Sequence, residues 1–568
     1  MLTEADPNPL LERLSEQFFQ VMHTTDPLSA TMLGVPGFDD LLPDPSREGS
    51  GRNAARFARI EDQLAALDPG SLGASDRINH AVLGWLAWGA RVELEHGLWE
   101  GNASAAAYVS PQAMLFQAMP TAPLSDAAAV DGYLRRLSGL GQYFDAVGQR
   151  YRQASAEGRV STRSGVLQAI DQVERHLAQS LTEDSLVSPE LPGDVDQSKV
   201  RARMAESVES VARPAMDRLN AVLRDELLPL ARSDDQVGIR FIPGGDQGYR
   251  DLVRRHTTTE LSPAEIHQVG LDRVASLQAE WSERGRRVLG TSEVTEVRQR
   301  LRDDPSLRFA AAEEIVGVVT DALRRAEAAL DLWFPDFHLP TCVVEEISPI
   351  EANNAPLGYY RPASDDGSRP AAHCVLTTNP GQRFTYEYEA LAFHESSPGH
   401  HLQIASGQAL TGLPNYRRHL DAELCGYIEG WGLYSERLAD EMGLYTSELQ
   451  RLGMLSFDAL RACRLVVDTG MHYLGWSRQQ AVEYMWNNTA TTMANVQNEV
   501  QRYISWPGQA LAYMIGCREI RRLRVLAEER LQARFDIRAF HGAVLSNGAV
   551  PLGVLEEIVH TWIDTVAV

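Results

Sequence analysis

The sequence predicts a mainly α-helical protein with one small β-sheet near residues 340–378. Apolar residues recur every three or four positions through most of the first 230 residues, a spacing that gives each helix one buried face. Between residues 340 and 378 the pattern changes to short runs rich in β-branched residues, separated by turn-forming residues. From Phe384 to the end of the chain the helical spacing returns.

The first part of the chain is expected to hold a series of helices joined by short loops. A polar stretch with two prolines, residues 182–199, predicts a surface loop. Near residues 237–251 a short strand and a glycine-rich turn are expected. Ser262 and Pro263 then mark the cap and first turn of another helix, and helical spacing continues to about Leu332. The other predicted helices of this part cover residues 76–99, 127–151, 164–181 and 200–232.

Three short strands are predicted before the last helical region, at residues 342–347, 357–361 and 372–377. The third strand is a candidate edge strand that could pair with an extended substrate backbone; the alternative is a plain structural hairpin. The change of pattern at Phe334 divides the chain into residues 1–333 and 334–568, which we expect to form one continuous structural unit.

The composition excludes several classes of protein. Acidic residues outnumber basic ones by 77 to 53, a net charge of −24, which argues against binding to nucleic acids or to anionic membranes. No stretch of about 18 uncharged apolar residues occurs, and the N-terminal residues do not resemble a signal peptide. The five cysteines are scattered and form no CxxC pair. Reduced thiols and a cytoplasmic location are the simplest expectation.

The segment 391–403, LAFHESSPGHHLQ, carries the strongest chemical signal. His394 and Glu395 follow the buried stripe of a predicted helix, and a zinc hydrolase often places a glutamate general base beside its first histidine ligand. Pro398 stands where the usual HExxH pattern has its second histidine, so it should break or bulge the helix. We therefore expect His400 to be the second Zn²⁺ ligand, with His401 as its rival or as a supporting residue. The alternative is two exposed histidines at a helix break.

A third protein ligand is expected for catalytic zinc. The next helix offers Glu429, which lies opposite an apolar stripe and is flanked by small residues that would let another helix approach closely. Its separation from His394 is sufficient for one turn-back between antiparallel helices. Glu423 and Glu436 are weaker candidates, and pairing of Glu429 with a buried arginine is the structural alternative.

These motifs resemble a known family. The segments His394–Gln403 and Glu429–Glu436, together with Arg502-Tyr503…Pro507-Gly-Gln-Ala-Leu-Ala-Tyr513, are similar to those of the bacterial domain-of-unknown-function family 885. That family is similar to helical zincin metallopeptidases of the angiotensin-converting-enzyme-like and carboxypeptidase Taq-like groups. One difference is Met514, where the family pattern leads us to expect a basic residue.

The resemblance implies a zincin-like, two-lobed helical body around a central cleft, with residues 1–333 forming one wall and residues 334–568 forming the catalytic part. The expected activity is zinc-dependent hydrolysis of peptide bonds in short peptides, with Glu395 as the general base. Tyr513 is the first candidate for stabilising the oxyanion, with an ordinary core tyrosine as the alternative, and His541 is the second candidate. The alternatives are a metal-dependent amidase acting on a small non-peptide metabolite and a catalytically inactive binding protein.

Four further residues are weaker candidates. Asp468 and His472, four positions apart, either orient a ligand or form an ordinary surface helix pair. Arg361 and Arg502 could bind a substrate carboxylate. The sequence does not indicate the oligomeric state.

Overall fold

The computed structural model describes residues 7–106, 109–348, 356–364, 369–420 and 422–567. It divides into two compact units. The first unit comprises Met1–Asp251, Gly475–Gln479 and Gln501–Trp506, and the second comprises Leu252–Leu474, Gln480–Val500 and Pro507–Val568. Residue 334, where the sequence pattern changes from helix to strand, therefore lies inside the second unit.

The first unit is helical in its described residues. Its core forms where the apolar faces of successive helices meet, and Leu137, Phe144, Val166 and Leu219 are fully or almost fully buried there. The helices are α1 (Pro9–Thr25), α2 (Pro27–Leu33), α3 (Arg47–Ala65), α4 (Ala74–His96), α5 (Pro111–Ala118), α6 (Ala127–Ala156), α7 (Arg163–Ala178), α8 (Gln197–Ser207), α9 (Arg213–Ala221) and α10 (Gly245–Thr257), which continues into the second unit.

The strand predicted near residues 237–251 is wrong. A single 3-10 turn, Ile239–Phe241, and the start of α10 occupy this segment. The backbone folds back so tightly that a Cβ on Gly245 would lie 1.7 Å from the carbonyl oxygen of Ile239. A local turn, rather than pairing with another strand, therefore satisfies this short apolar run.

The second unit carries the sheet and most of the later helices, while residues 478–479 and 501–505 of two of these helices belong to the first unit. Ser262 caps α11 and forms a reciprocal capping box with Glu265, as its position before Pro263 predicts. The elements are α11 (Pro263–Leu289), α12 (Val294–Asp303), α13 (Ala312–Trp333), β1 (Cys342–Glu346), β2 (Gly358–Arg361), β3 (Ala371–Val375), α14 (Tyr388–Glu395), α15 (His400–Gln408), α16 (Asn415–Arg418), α17 (Cys425–Glu441), α18 (Glu448–Thr469), α19 (Arg478–Asn488), α20 (Met493–Ser505), α21 (Ala512–Leu531), α22 (Ile537–Leu545) and α23 (Leu552–Ala567).

The three strands form one mixed sheet in the order β1-β3-β2, which confirms the small sheet predicted near residues 340–378. β3 pairs with β1 in parallel and with β2 antiparallel, and all five of its residues are buried. The prediction of an edge strand at residues 372–377 is therefore wrong, because β3 is hydrogen-bonded on both sides. β2 is an outer strand of this sheet.

Glycines bring α17 and α21 into close contact, as the small residues around Glu429 predict. A Cβ on Gly516 would lie 1.7 Å from the carbonyl oxygen of Gly426, and a Cβ on Gly430 would lie 2.6 Å from the backbone of Gly516. Any larger side chain would separate the two helices. This contact fixes the helix that carries Glu429 against the helix that carries Tyr513.

Two further observations bear on the sequence-based expectations. Within the described residues, no helix is both long enough and apolar enough to cross a membrane. All five cysteines are buried and none forms a disulfide.

Candidate metal centre

A break between two helices separates the histidines of the HESSPGHH segment. α14 ends at Glu395 and α15 begins at His400, so the helix break predicted from Pro398 is confirmed. The Ser397–Pro398 peptide bond is cis. Trp431, from α17, donates a hydrogen bond of 2.9 Å from its Nε1 to the carbonyl oxygen of Pro398. The turn is therefore attached to the helix that carries Glu429.

Gly399 closes the turn because no other residue fits there. A Cβ at this position would lie 1.9 Å from the carbonyl oxygen of His394. After the turn, the rings of His394 and His400 lie with their centroids 4.7 Å apart at an angle of 88°. The break thus places two histidines side by side, as an uninterrupted helix does with histidines four positions apart.

Glu429 lies against both rings. Its Oε2 is 3.5 Å from Nε2 of His394 and 3.4 Å from Nε2 of His400. These distances are too long for strong hydrogen bonds, and Oε2 is a buried oxygen without a hydrogen-bond partner. The three ligand atoms lie within 4.8 Å of one another, and this is the cluster of potential metal ligands found in the described residues.

Glu436 supports this cluster from behind. Glu436 lies two helical turns beyond Glu429 on α17, and its Oε1 accepts a hydrogen bond of 2.9 Å from Nδ1 of His394. Nδ1 therefore carries a proton, and Nε2 is the ring nitrogen that faces Glu429. Gly432 makes room for the rings, since a Cβ there would lie 2.8 Å from Cε1 and Nε2 of His394 and 3.1 Å from Cε1 of His400.

The electrostatics of the cluster are those of close, buried opposite charges. Burial by itself would lower the pKa of His394, but the carboxylates of Glu429 and Glu436 raise it to about 9. Burial by itself would raise the pKa of Glu429, yet His394 and His400 hold it well below its usual range. The cluster therefore stabilises positive charge, which a bound cation would supply in place of a proton on Nε2 of His394.

Glu395 lies beside the cluster at the end of α14. Its Oε2 accepts a hydrogen bond of 3.0 Å from the backbone N–H of Tyr360, on the outer strand β2. Burial raises the pKa of Glu395 above its usual value, although His394 and His400 oppose the shift. A carboxylate with a raised pKa is suited to accept a proton and release it again.

His401 and His541 are outside the cluster because both nitrogens of each ring have other partners. Nε2 of His401 lies 3.0 Å from the carbonyl oxygen of Pro340, and its Nδ1 lies 3.2 Å from the hydroxyl of Tyr360. His541 is 2.8 Å from the carbonyl oxygen of Trp333 through Nδ1 and 2.9 Å from the Tyr434 hydroxyl through Nε2. Since a carbonyl oxygen only accepts, Nδ1 of His541 donates, and burial lowers the pKa of the ring to about 3. Nε2 of this neutral ring is therefore an acceptor.

Tyr513 lies next to the cluster in the first turn of α21. Its ring centroid is 6.3 Å from that of His394, with the two planes only 20° apart.

Asp468 is fully buried, and its carboxylate accepts the backbone N–H of Gly508 at 3.1 and 3.2 Å. It thereby holds the segment that leads into α21. The expectation that Asp468 and His472 form a surface pair is wrong, because both side chains are fully buried.

The remaining candidates are not members of the three-residue cluster. Arg361 forms an ion pair of 2.7 Å with Glu345, and Arg502 belongs to the first compact unit. Glu423 is not among the three clustered ligands. Sequence reasoning did not identify the backbone N–H of Tyr360, since a backbone donor leaves no signal in side-chain patterns. Nor did it single out Arg461, one of many arginines in the chain.

Comparison with known proteins adds a family and a fold. The sequence matches the profile of the family described as "Bacterial protein of unknown function (DUF885)" over residues 27–559. A search among curated proteins finds no match.

Two solved structures share the fold. The crystal structure of a "putative lipoprotein" from Colwellia psychrerythraea is 27% identical with a TM-score of 0.90, over 98% of this chain and 99% of that one. A "putative lipoprotein of unknown function" from Shewanella oneidensis is 18% identical with a TM-score of 0.73, over 96% of this chain and 99% of that one. At 18% identity the second likeness shows the fold alone. The similarity to helical zincin metallopeptidases stays a prediction. Because the family profile spans nearly the whole sequence, the chain belongs to the bacterial family DUF885.

Proposed function

We propose that this protein is a zinc-dependent hydrolase that cleaves peptide bonds in short peptides. The observation that carries the proposal is the spacing of the three candidate ligand atoms. Tetrahedral ligands with bonds of about 2.0–2.1 Å to zinc lie about 3.3–3.4 Å from each other. Two of the three pairs have this spacing, since Glu429 Oε2 lies 3.5 and 3.4 Å from the two histidine nitrogens, and all three atoms lie within 4.8 Å of one another. Three protein ligands also leave a fourth position for water or substrate.

The chemistry of the ligands supports zinc. Two imidazole nitrogens and one carboxylate form a common ligand set of catalytic zinc, and a carboxylate such as Glu436 on the far nitrogen of a ligating histidine orients that ligand. The unpartnered Oε2 of Glu429 is an atom that a cation would satisfy. A bound zinc ion would supply Lewis acidity, which polarises a carbonyl group and makes water easier to deprotonate.

The protein's own side chains have the following proposed roles. Glu395 accepts a proton from the attacking water at a carboxylate oxygen and later delivers it to the leaving amine. The backbone N–H of Tyr360 holds the Glu395 carboxylate in place. Tyr513, beside His394, donates a hydrogen bond to the oxyanion. His541, the second candidate for that role, has an acceptor nitrogen bound by Tyr434 and is therefore disfavoured.

The substrate class and the architecture rest on the family resemblance. We propose a zincin-like, two-lobed body whose cleft admits oligopeptides better than folded proteins. The acidic composition disfavours nucleic acid as a partner.

Metal analysis of the purified protein tests the proposal first. We expect about one equivalent of zinc per chain, lost in His394→Ala and in His400→Ala. His401→Gln is the matched control, because its ring nitrogens contact Pro340 and Tyr360 instead of the cluster. If the protein takes up no metal under any loading condition, the zinc site does not exist.

Glu395→Gln tests the catalytic step separately from metal binding. The variant should keep its zinc, because Glu395 is not one of the three ligands, but should lose hydrolysis of short peptides. A short-peptide library analysed by liquid chromatography supplies the substrate. Cleavage by Glu395→Gln at the parent rate would exclude this residue as the general base. Cleavage of non-peptide amides alone would replace the peptidase with an amidase.

The cellular location is a separate proposal. The free cysteines agree with a reducing compartment and hence with the cytoplasm. The two similar structures, however, are described as putative lipoproteins. Cell fractionation followed by immunoblotting distinguishes a cytoplasmic protein from a membrane-attached one.

A further inference from the structure

Arg461 is a buried arginine without a hydrogen bond to any other residue that the structure describes. It lies on α18, a helix that is buried from Leu452 to Thr469. Its side chain is 8% exposed, and Nε is enclosed without a partner. A buried guanidinium normally uses several of its five donors, because desolvating a charge without compensation is costly. Within the described residues, Arg461 has one ion-pair contact, from Nη2 to Glu436 at 3.6 Å, and none of the hydrogen bonds that its burial calls for.

The surroundings of Arg461 place it next to the proposed active site. Its Cζ lies 5.9 Å from the ring of Tyr513 and 4.6 Å from the ring of Phe457. The nearest carboxylate oxygen is Oε1 of Glu436, 3.6 Å from Nη2, and that oxygen already accepts the proton of His394. Glu436 is thus a distant and shared counter-charge. Glu387 also interacts electrostatically with Arg461, but burial raises the pKa of this carboxyl to about 8 and it forms no ion pair with Arg461.

Arg464, one turn further along α18, provides a contrast. Its guanidinium also lies over Tyr513, with Cζ 4.3 Å from the ring centroid. It is paired with Glu499 through contacts of 2.7 and 3.2 Å. Two arginines therefore lie near the same tyrosine, but Arg464 forms two hydrogen bonds with a close carboxylate and Arg461 forms none within the described residues.

We propose that Arg461 binds a carboxylate group of the substrate, located within two residues of the bond that is cleaved. This inference rests on the proposed hydrolase function. Through their shared neighbour Glu436 Oε1, His394 Nδ1 and Arg461 Nη2 are at most about 6.5 Å apart. Adding the imidazole ring and a zinc–nitrogen bond puts Nη2 within about 11 Å of the metal position. One peptide residue spans up to about 3.6 Å, and an arginine–carboxylate contact adds about 3 Å. Two residues and one such contact therefore cover most of the distance between the metal position and Arg461.

The carboxylate can come from two sources with the same chemistry. It is either the C-terminal α-carboxylate of a short peptide or the side chain of an acidic residue. In both cases a guanidinium can form two parallel hydrogen bonds to the planar group. The first source would make the enzyme select peptides with a free C-terminus close to the cleaved bond.

Direct binding to the zinc-loaded Glu395→Gln protein tests the proposal without turnover. Calorimetry compares trialanine, trialanine amide and Ala-Glu-Ala amide. We expect one or both of the carboxylate-bearing peptides to bind at least tenfold more tightly than trialanine amide, since a hydrogen bond to a charged group is worth about that factor. Introducing Arg461→Gln as a second substitution should bring the ratio of these affinities to about one, and Arg461→Lys in its place should restore part of the ratio. Arg464→Gln, as the matched control, should keep the ratio.

The outcomes separate this inference from the hydrolase proposal and from a purely structural role. Preference for trialanine identifies the C-terminal carboxylate, and preference for Ala-Glu-Ala amide identifies an acidic side chain. Equal binding of all three peptides would overturn the inference, as would an unchanged ratio in Arg461→Gln. If Arg461→Gln loses zinc while the ratio persists, Arg461 serves only as the counter-charge of Glu436. If the protein binds no zinc, the affinities of the same three peptides are measured with the metal-free protein, so that the role of Arg461 is still tested.

Discussion

Replacing Gly432 with alanine should disrupt metal binding without removing any ligand. The added Cβ would lie 2.8 Å from Cε1 and Nε2 of His394, whereas ordinary van der Waals contact begins near 3.4 Å. The ring would have to move by about 0.6 Å, three times the tolerance of about 0.2 Å on metal–ligand distances. It cannot swing away freely, because Glu436 holds Nδ1 at 2.9 Å. We expect zinc affinity to fall at least tenfold, or by about 1.4 kcal/mol.

The assay is zinc titration against a chelator of known affinity, with thermal unfolding of the metal-free protein alongside it. Gly317→Ala is the matched control, because Gly317 also lies in a helix and a Cβ there would meet no heavy atom within 4 Å. That change should leave zinc affinity unaltered and raise helix stability by about 0.5–1 kcal/mol. A folded Gly432→Ala variant that binds zinc as tightly as the parent would refute the placement of the two histidine rings.

Three further predictions follow from individual contacts. Glu436→Gln should lower zinc affinity by about 10–100-fold, measured by the same titration, because the ionised partner of His394 is lost. Trp431→Phe should cost about 1–3 kcal/mol of unfolding free energy in denaturant titrations, since the carbonyl of Pro398 loses its donor. His541→Gln should reduce the loss of unfolding free energy at acidic pH, measured by denaturant titrations at several pH values. With a folded-state pKa of about 3, against 6.5 when exposed, His541 costs the parent about 2 kcal/mol of stability as the pH falls from 7 to 5.

Each of these has a result that contradicts it. Unchanged zinc affinity in Glu436→Gln would mean that His394 needs no partner on Nδ1. Equal unfolding midpoints for Trp431→Phe and the parent would show that the Pro398 carbonyl is satisfied in another way. The sign for His541 follows from its lowered pKa: stability is complete above about pH 6.5 and falls towards pH 3, because the unfolded chain binds the proton first. Parallel pH curves for His541→Gln and the parent would contradict this.

Much of the fold could be predicted because helices and their ends are encoded locally. Ser262 and Pro263 mark the start of α11, and Pro398 marks the end of α14, through backbone effects that need no distant partner. Strand positions were also local, but strand order was not. β3 became the central strand because β1 and β2 both pair with it. An uninterrupted buried run is compatible with either place in a small sheet.

The candidate site also combines features that the sequence predicts with features that only the tertiary structure decides. Residue spacing alone selected His394, Glu395 and Glu429 as the chemical group and reduced the second histidine to position 400 or 401. Only the folded chain separates the last two: His400 faces Glu429, whereas His401 contacts Pro340 and Tyr360. Spacing records which residues share a helix face, but the direction in which a side chain leaves a turn depends on packing. The lack of a hydrogen-bond partner for Arg461 was likewise decided by tertiary structure, since it depends on every described neighbour that surrounds the side chain.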